Sequence, residues 1–149
     1  MKTATLPSLP CLCGNLRRAA RTLTQLYEEA LRPTGLRSSQ FTILQALSVA
    51  GEVSQGRLGE LLAMDSTTLT RTLGIMLGHG WIVERPGEDR RERWLRLSSA
   101  GKARLQRALP AWEKVQSSVR RRIGEPAWQN LFLITTQISN QFTTEGEML

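Results

Sequence analysis

Between Ser54 and Leu97 the chain lays out a short helix, a second short helix and a charged hairpin, and this order restricts the fold more than any other feature of its 149 residues. Ser54 has the hydroxyl of a helix N-cap, and Leu58, Leu61 and Leu62 follow at helical spacing. After Ala63 and Met64, Asp65 or Ser66 offers a second cap; the apolar positions then continue to about His79, where Gly80 suits a C-terminal stop. Two short amphipathic helices so closely joined have the outline of a helix-turn-helix. Two strand-like runs come next, Trp81 to Arg85 and Arg93 to Leu97, with turn-forming and charged residues from Pro86 to Glu92 between them. A hairpin in that place is a wing.

The flanks read as helices. From Leu16 to Leu31 a stripe of Leu16, Ala19, Ala20, Leu23, Leu26, Tyr27 and Ala30 faces away from Arg17, Arg18, Arg21, Gln25 and Glu28. Pro33 and Gly35 stop it; Ser38 or Ser39 caps the next helix, with Phe41, Leu44, Leu47 and Ser48 on its core face and an end near Gly51. Beyond the hairpin, Ser98 and Ser99 begin a long stretch through Leu105, Leu109, Trp112 and Val115, in which Pro110 predicts a kink or interruption because it has no N–H to donate. A last helix, from about Pro126 to Phe142, carries Trp128, Leu131, Thr135, Ile138 and Phe142.

The expected architecture is therefore mainly α with a small β-hairpin wing. An N-terminal arm and first helix occupy 1–37, a winged helix-turn-helix 38–98, and a long helix plus a C-terminal helix 99–149, in one compact chain with no independent second domain. The winged core needs only Phe41 to about Leu97, so the terminal helices carry apolar faces with no third layer to cover them. Pairing with a second copy is the economical solution and predicts a homodimer; the alternative is that the two arms pack only on each other.

The exposed face of the second short helix indicates a partner. On a wheel of about 100° per residue, Leu69, Leu73, Met76 and Leu77 fall on one side, and Thr67, Arg71, Gly74 and Gly78 on the other, flanked by Thr68, Thr70 and Ile75. Ordinary solvent faces favour Glu and Lys, and neither occurs between Ser66 and Gly80. Slim hydroxylic side chains let a helix backbone enter the DNA major groove, and arginine is the commonest bidentate reader of guanine. The wing adds Arg85, Arg90, Arg91, Arg93 and Arg96, whose guanidinium groups suit phosphate and a narrow minor groove, while Asp89 is placed to clamp the Arg91 side chain. A formal charge of +7, from 20 basic and 13 acidic residues, is consistent with a polyanionic partner. The candidate DNA-binding residues are thus Ser66, Thr67, Thr68, Thr70, Arg71, Arg90, Arg91 and Arg93.

These segments resemble a known family. Leu58 to Ala63 followed by Met64-Asp65-Ser66-Thr67-Thr68-Leu69-Thr70-Arg71, then Gly80-Trp81-Ile82-Val83-Glu84-Arg85, look like the MarR-type regulators. So does Asp89-Arg90-Arg91 followed by Leu95 to Gly101, where Leu97-Ser98-Ser99-Ala100-Gly101 replaces the family's Leu-Thr-x-x-Gly-like start of the long helix. The resemblance covers nearly the whole chain in order. It implies a homodimer made by the terminal helices, with two recognition helices on a pseudo-palindromic double-stranded DNA site. It also implies a transcriptional repressor relieved by a small ligand or by cysteine oxidation.

Cys11 and Cys13 do not follow from DNA binding. In the hydroperoxide-sensing branch of the family a reactive cysteine opens the first helix, and Cys13 falls on that position; Tyr27 falls on one of the tyrosines that branch places beside it. Two further tyrosine positions are Arg17 and Ser38 here. Three readings stay open: redox sensing by Cys13 with Cys11 or a partner cysteine resolving it, capture of a soft metal or metalloid by two cysteines from each subunit, or a small aromatic or lipophilic acid bound between the arms and the DNA-binding lobe. A non-specific basic DNA-binding protein is a further alternative. His79, ending its helix, suits the dipole there better than a metal.

No paired acid and base groups, no Gly-rich phosphate loop and no four-ligand zinc set stand out, so neither an enzyme nor a cofactor is expected. No apolar run approaches the roughly 18 residues of a membrane span, and Met1 to Pro10 does not read as a signal peptide, which predicts a cytoplasmic protein with no membrane partner.

Overall fold

The computed structural model describes residues 6–143. Its elements are α1 (Leu12–Leu31), a 3-10 turn (Arg32–Thr34), α2 (Ser38–Ala50), β1 (Glu52–Ser54), α3 (Gln55–Leu62), α4 (Ser66–Gly78), β2 (Ile82–Pro86), β3 (Arg93–Leu97), α5 (Ser99–Ile123) and α6 (Glu125–Thr143). The mainly helical architecture with a small β wing agrees with the expected class. The sheet has three antiparallel strands in the order β1-β3-β2, with Val53 opposite Leu95 and Glu84 opposite Leu95 on the other side. The strand β1 was not anticipated: three residues are too few to display a period of two, and β1 exists because β3 supplies its hydrogen-bond ladder.

The core lies where α2, α4, α5 and the sheet converge. Phe41, Ile43, Leu44, Leu58, Met76, Ile82 and Leu95 are each no more than 2% exposed. Each such side chain contributes about 1.5–3 kcal/mol by leaving water, before the cost of ordering the chain. Phe41 packs against Trp112 with ring centroids 5.9 Å apart, tying α2 to α5.

Three helix starts follow their hydroxyl or carboxylate caps. Ser54 accepts from Arg57 N, Asp65 from Thr68 N and Ser98 from Gly101 N, at 3.2, 2.8 and 3.0 Å. The start of α2 differs from expectation. Neither Ser38 nor Ser39 caps it; the carboxylate of Glu28, on α1, accepts from both the Ser38 N–H and the Ser38 hydroxyl at 2.8 Å. Gly101 explains the glycine in the loop-to-helix start: a Cβ there would overlap the Trp81 carbonyl, which also accepts from Ser98 N. Pro110 neither ends nor divides α5, which runs unbroken from Ser99 to Ile123. Packing on both sides of it, Leu105 and Ala108 before and Trp112 after, holds the helix through the missing hydrogen bond.

Candidate nucleic-acid interface

α4 divides as its wheel predicts. Leu69, Leu73 and Met76 are buried, whereas Ser66, Thr67, Thr70, Arg71, Gly74 and Gly78 are exposed and Thr68 is half-buried. Asp65 anchors its first turn; hydrogen bonds from Thr68, its side chain first and then its backbone, hold this carboxyl below the usual carboxylate range. The Arg71 guanidinium has no partner among the described residues. Nothing lies within 4 Å of where a Cβ would stand on Gly74 or Gly78, so the middle and end of this face can be approached closely.

The five wing arginines separate into distinct sets. Arg85 forks onto both oxygens of Glu52, 2.8 Å each, and its guanidinium carbon lies 5.3 Å from the Trp94 ring centroid. The pair holds Glu52 below the usual carboxylate range through the hydrogen bond from Arg85. Arg93, expected on DNA, instead reaches both oxygens of Glu84 across the strand pair at 3.0 and 2.9 Å. These two arginines brace the sheet. Arg90 and Arg91, at the tip, are exposed and have no side-chain partner among the described residues, and Arg96 lies exposed on β3 opposite Glu52. Asp89 also acts differently from the expected side-chain clamp: its Oδ1 accepts from the Arg91 backbone N–H at 2.9 Å, and its carbonyl from Glu92 N at 2.9 Å. It shapes the turn that projects Arg91 rather than gripping the guanidinium. The physical reason is reach: two residues on, in a tight turn, the nearest donor is the main chain.

Sequence reasoning missed Gln55, the first residue of α3, whose Nε2 donates to Thr70 Oγ1 at 3.0 Å. It missed Glu52 for the same reason that it missed β1. Nothing local marks either position, since both gain their roles from partners 15 and 33 residues away.

Cys11 is the N-cap of α1 and Cys13 lies in its first turn, both as exposed free thiols. Around them the preceding arm is stapled down: Asn15 bonds both the N–H and carbonyl of Leu9 at 3.0 and 2.6 Å, and Arg18 donates to the Pro7 carbonyl at 2.8 Å. Arg18 thus serves the arm. Tyr27 is not beside Cys13 within one chain, because 14 residues of the same helix separate them by about 21 Å at 1.5 Å per residue. Its hydroxyl donates to Gln116 Oε1, and burial pushes its pKa above the usual tyrosine range. Tyr27, Leu31, Phe41, Met64 and Trp112 help line a cavity of about 420 Å³ between α1, α2 and α5. Among the described residues, no three His, Cys, Asp or Glu side chains gather in a metal-holding group.

Known proteins resemble the chain in sequence and in fold. Residues 34–92 match the model of the MarR family. Over 87 residues the chain is 33% identical to the uncharacterized HTH-type transcriptional regulator YwoH of Bacillus subtilis, a match covering 58% of this chain and 64% of that protein. The crystal structure of the M. tuberculosis transcriptional regulator MosR in complex with DNA is 34% identical with a TM-score of 0.78, over 88% of this chain and 95% of that one. A mutant MarR from E. coli complexed with operator DNA shares the fold at 19% identity, with a TM-score of 0.76 over 85% and 92% of the respective chains.

Proposed function

The chain belongs to the MarR family of DNA-binding transcription regulators, and from that premise we propose that it acts as a homodimeric repressor: α4 of each copy enters a major groove, and the Arg90–Arg91 wing tip reaches the adjacent minor groove. The observation that carries this reading is the exposed hydroxyl and arginine face of α4, free of Lys and Glu, together with two wing-tip arginines whose side chains have no partner among the described residues. MosR and MarR, both solved on DNA, support it by likeness. The proposed contacts are Ser66, Thr67, Thr68, Thr70, Arg71, Arg90 and Arg91; Arg93 and Asp89 serve by bracing and shaping the wing. Support for the dimer comes from α1 and α6, where Leu23, Leu26, Leu131, Phe132, Leu133 and Ile134 are all exposed. Footprinting on the DNA flanking the chain's own gene tests the reading. Two protected half-sites about one helical turn apart are expected, and uniform retardation of any DNA would defeat it.

Control by Cys13 is part of this proposal. The thiolate attacks a hydroperoxide oxygen, becoming a sulfenic acid and releasing an alcohol; Cys11, of either copy, then attacks that sulfur, expelling water and closing a disulfide. Cys11 is the helix cap and its carbonyl accepts from Asn15, so a bond made by its sulfur pulls on the start of α1. Oxidant is expected to release DNA from the wild type and not from Cys13→Ser. The cavity beside Tyr27 and Trp112 favours a second reading, in which a small aromatic acid is the effector. Release by oxidant from the Cys11→Ser, Cys13→Ser double variant would leave that reading in place of the thiol one.

A further inference from the structure

We propose that Gln55 reads a base edge jointly with Thr70, and that the base is an adenine next to the one addressed by Arg71. The inference rests on the assignment of α4 to the DNA major groove and adds a reader from the preceding helix.

The starting observation is the bond that Thr70 makes, set beside those of four other helical threonines. Thr22, Thr42, Thr72 and Thr135 each donate their hydroxyl to the carbonyl four residues back, at 3.1, 3.0, 2.9 and 2.6 Å. This is the usual way a helical threonine satisfies its proton. Thr70 does not. Its Oγ1 accepts from Gln55 Nε2 at 3.0 Å, and its own proton has no acceptor among the described residues, although the residue is exposed. Gln55 in turn keeps its second N–H and its Oε1 without a partner among the described residues.

The pair therefore ends in a hydroxyl donor, an amide donor and an amide acceptor. Adenine presents an N7 acceptor beside an N6 donor in the major groove, which a glutamine amide matches with two hydrogen bonds. Guanine presents two acceptors there and would oppose Oε1. The placement is rigid from both sides, because Ser54, just before Gln55, both caps α3 and pairs with Trp94 in the sheet. The bond to Thr70 holds the long side chain before DNA arrives, so less freedom is lost on binding. Space is available: nothing lies within 4 Å of a Cβ built on Gly56 or Gly74.

The test is selection from a double-stranded oligonucleotide pool, randomised over about 20 base pairs, by the full-length protein and its variants. Binding is then measured to the selected duplex and to one with the implicated A·T pair changed to G·C. The wild type is expected to prefer adenine about five- to a hundredfold. Gln55→Ala and Gln55→Glu should lose that preference while melting at the wild-type temperature; Thr70→Ser should keep it. Thr70→Val should lose it too, with the Gln55→Ala, Thr70→Val double variant no worse than either single one. Equal weakening on both duplexes would mean Gln55 touches only phosphate and overturns the proposal, as would an unchanged preference or additive losses. A wild type that selects no sequence overturns the DNA-reading role of α4 together with this inference; a wild type that selects a site unaffected by Gln55→Ala overturns this inference alone.

Discussion

The lobe from α2 to β3 and the arms formed by α1 and α6 are both rich in leucine and treat it in opposite ways. In the lobe, Leu44, Leu58 and Leu95 are fully buried. Along α1 only Leu31, next to the lobe, is buried, and none of the described residues of α6 is. Phe132 is 54% exposed and Phe142 80%. The lobe is complete as a single chain. The arms are shaped for something outside it, and under the proposed assembly that something is a second copy.

Five substitutions break or sharpen this contrast. The largest effect is expected where the start of α5 packs on the lobe, from Gly101→Val, which drives a side chain into the Trp81 carbonyl. A loss above about 4 kcal/mol, seen as disappearance of the cooperative melting transition, is the expected outcome. Next is Phe132→Asp on the arm. It should shift the sedimentation coefficient to that of a monomer, costing at least about 2 kcal/mol per copy of the site, while the lobe's core signals in NMR stay in place. A melted lobe in this variant would erase the distinction between the two regions.

Smaller changes probe the lobe's outer face. Arg71→Ala should weaken operator binding by about 1–3 kcal/mol and relax preference at one base position per half-site, read by gel retardation on duplexes varied at each position. Equal loss on random DNA would make Arg71 a phosphate contact. Arg91→Ala should lower affinity modestly and reduce the slope of log affinity against log salt by about one. Asp89→Ala should reproduce part of that loss through the turn it shapes. Tighter binding by Asp89→Ala would reduce the residue to a repulsive surface charge.

The legibility of these two regions in the sequence also differs, for physical reasons. The core face of α4 and the caps at Ser54, Asp65 and Ser98 are local patterns, so periodicity and side-chain chemistry suffice to find them. The roles of Arg85 and Arg93 are not local. Both are arginines in a charged hairpin, and only strand register puts Glu52 and Glu84 within reach of them. The spacing of Asp89 and Arg91 points to a contact between them, but it does not show that the turn brings the Arg91 main chain closer than its side chain. The local effect of Pro110 is outweighed by packing that no local pattern shows, and Gln55 is inconspicuous in the sequence because its partner lies one helix away.

The Glu28 carboxylate belongs to α1 yet finishes the first turn of α2, with Arg37 3.7 Å away as a loose third party. An N-cap contributes about 1 kcal/mol to the helix it completes. The two regions are thus geared together like the plates of a clutch: while α1 keeps its tilt, α2 is held at full length beneath it. A rotation of the arm that withdraws Glu28 would uncover the Ser38 amide, and the lobe would register the movement as a frayed helix before any side chain in its core had shifted.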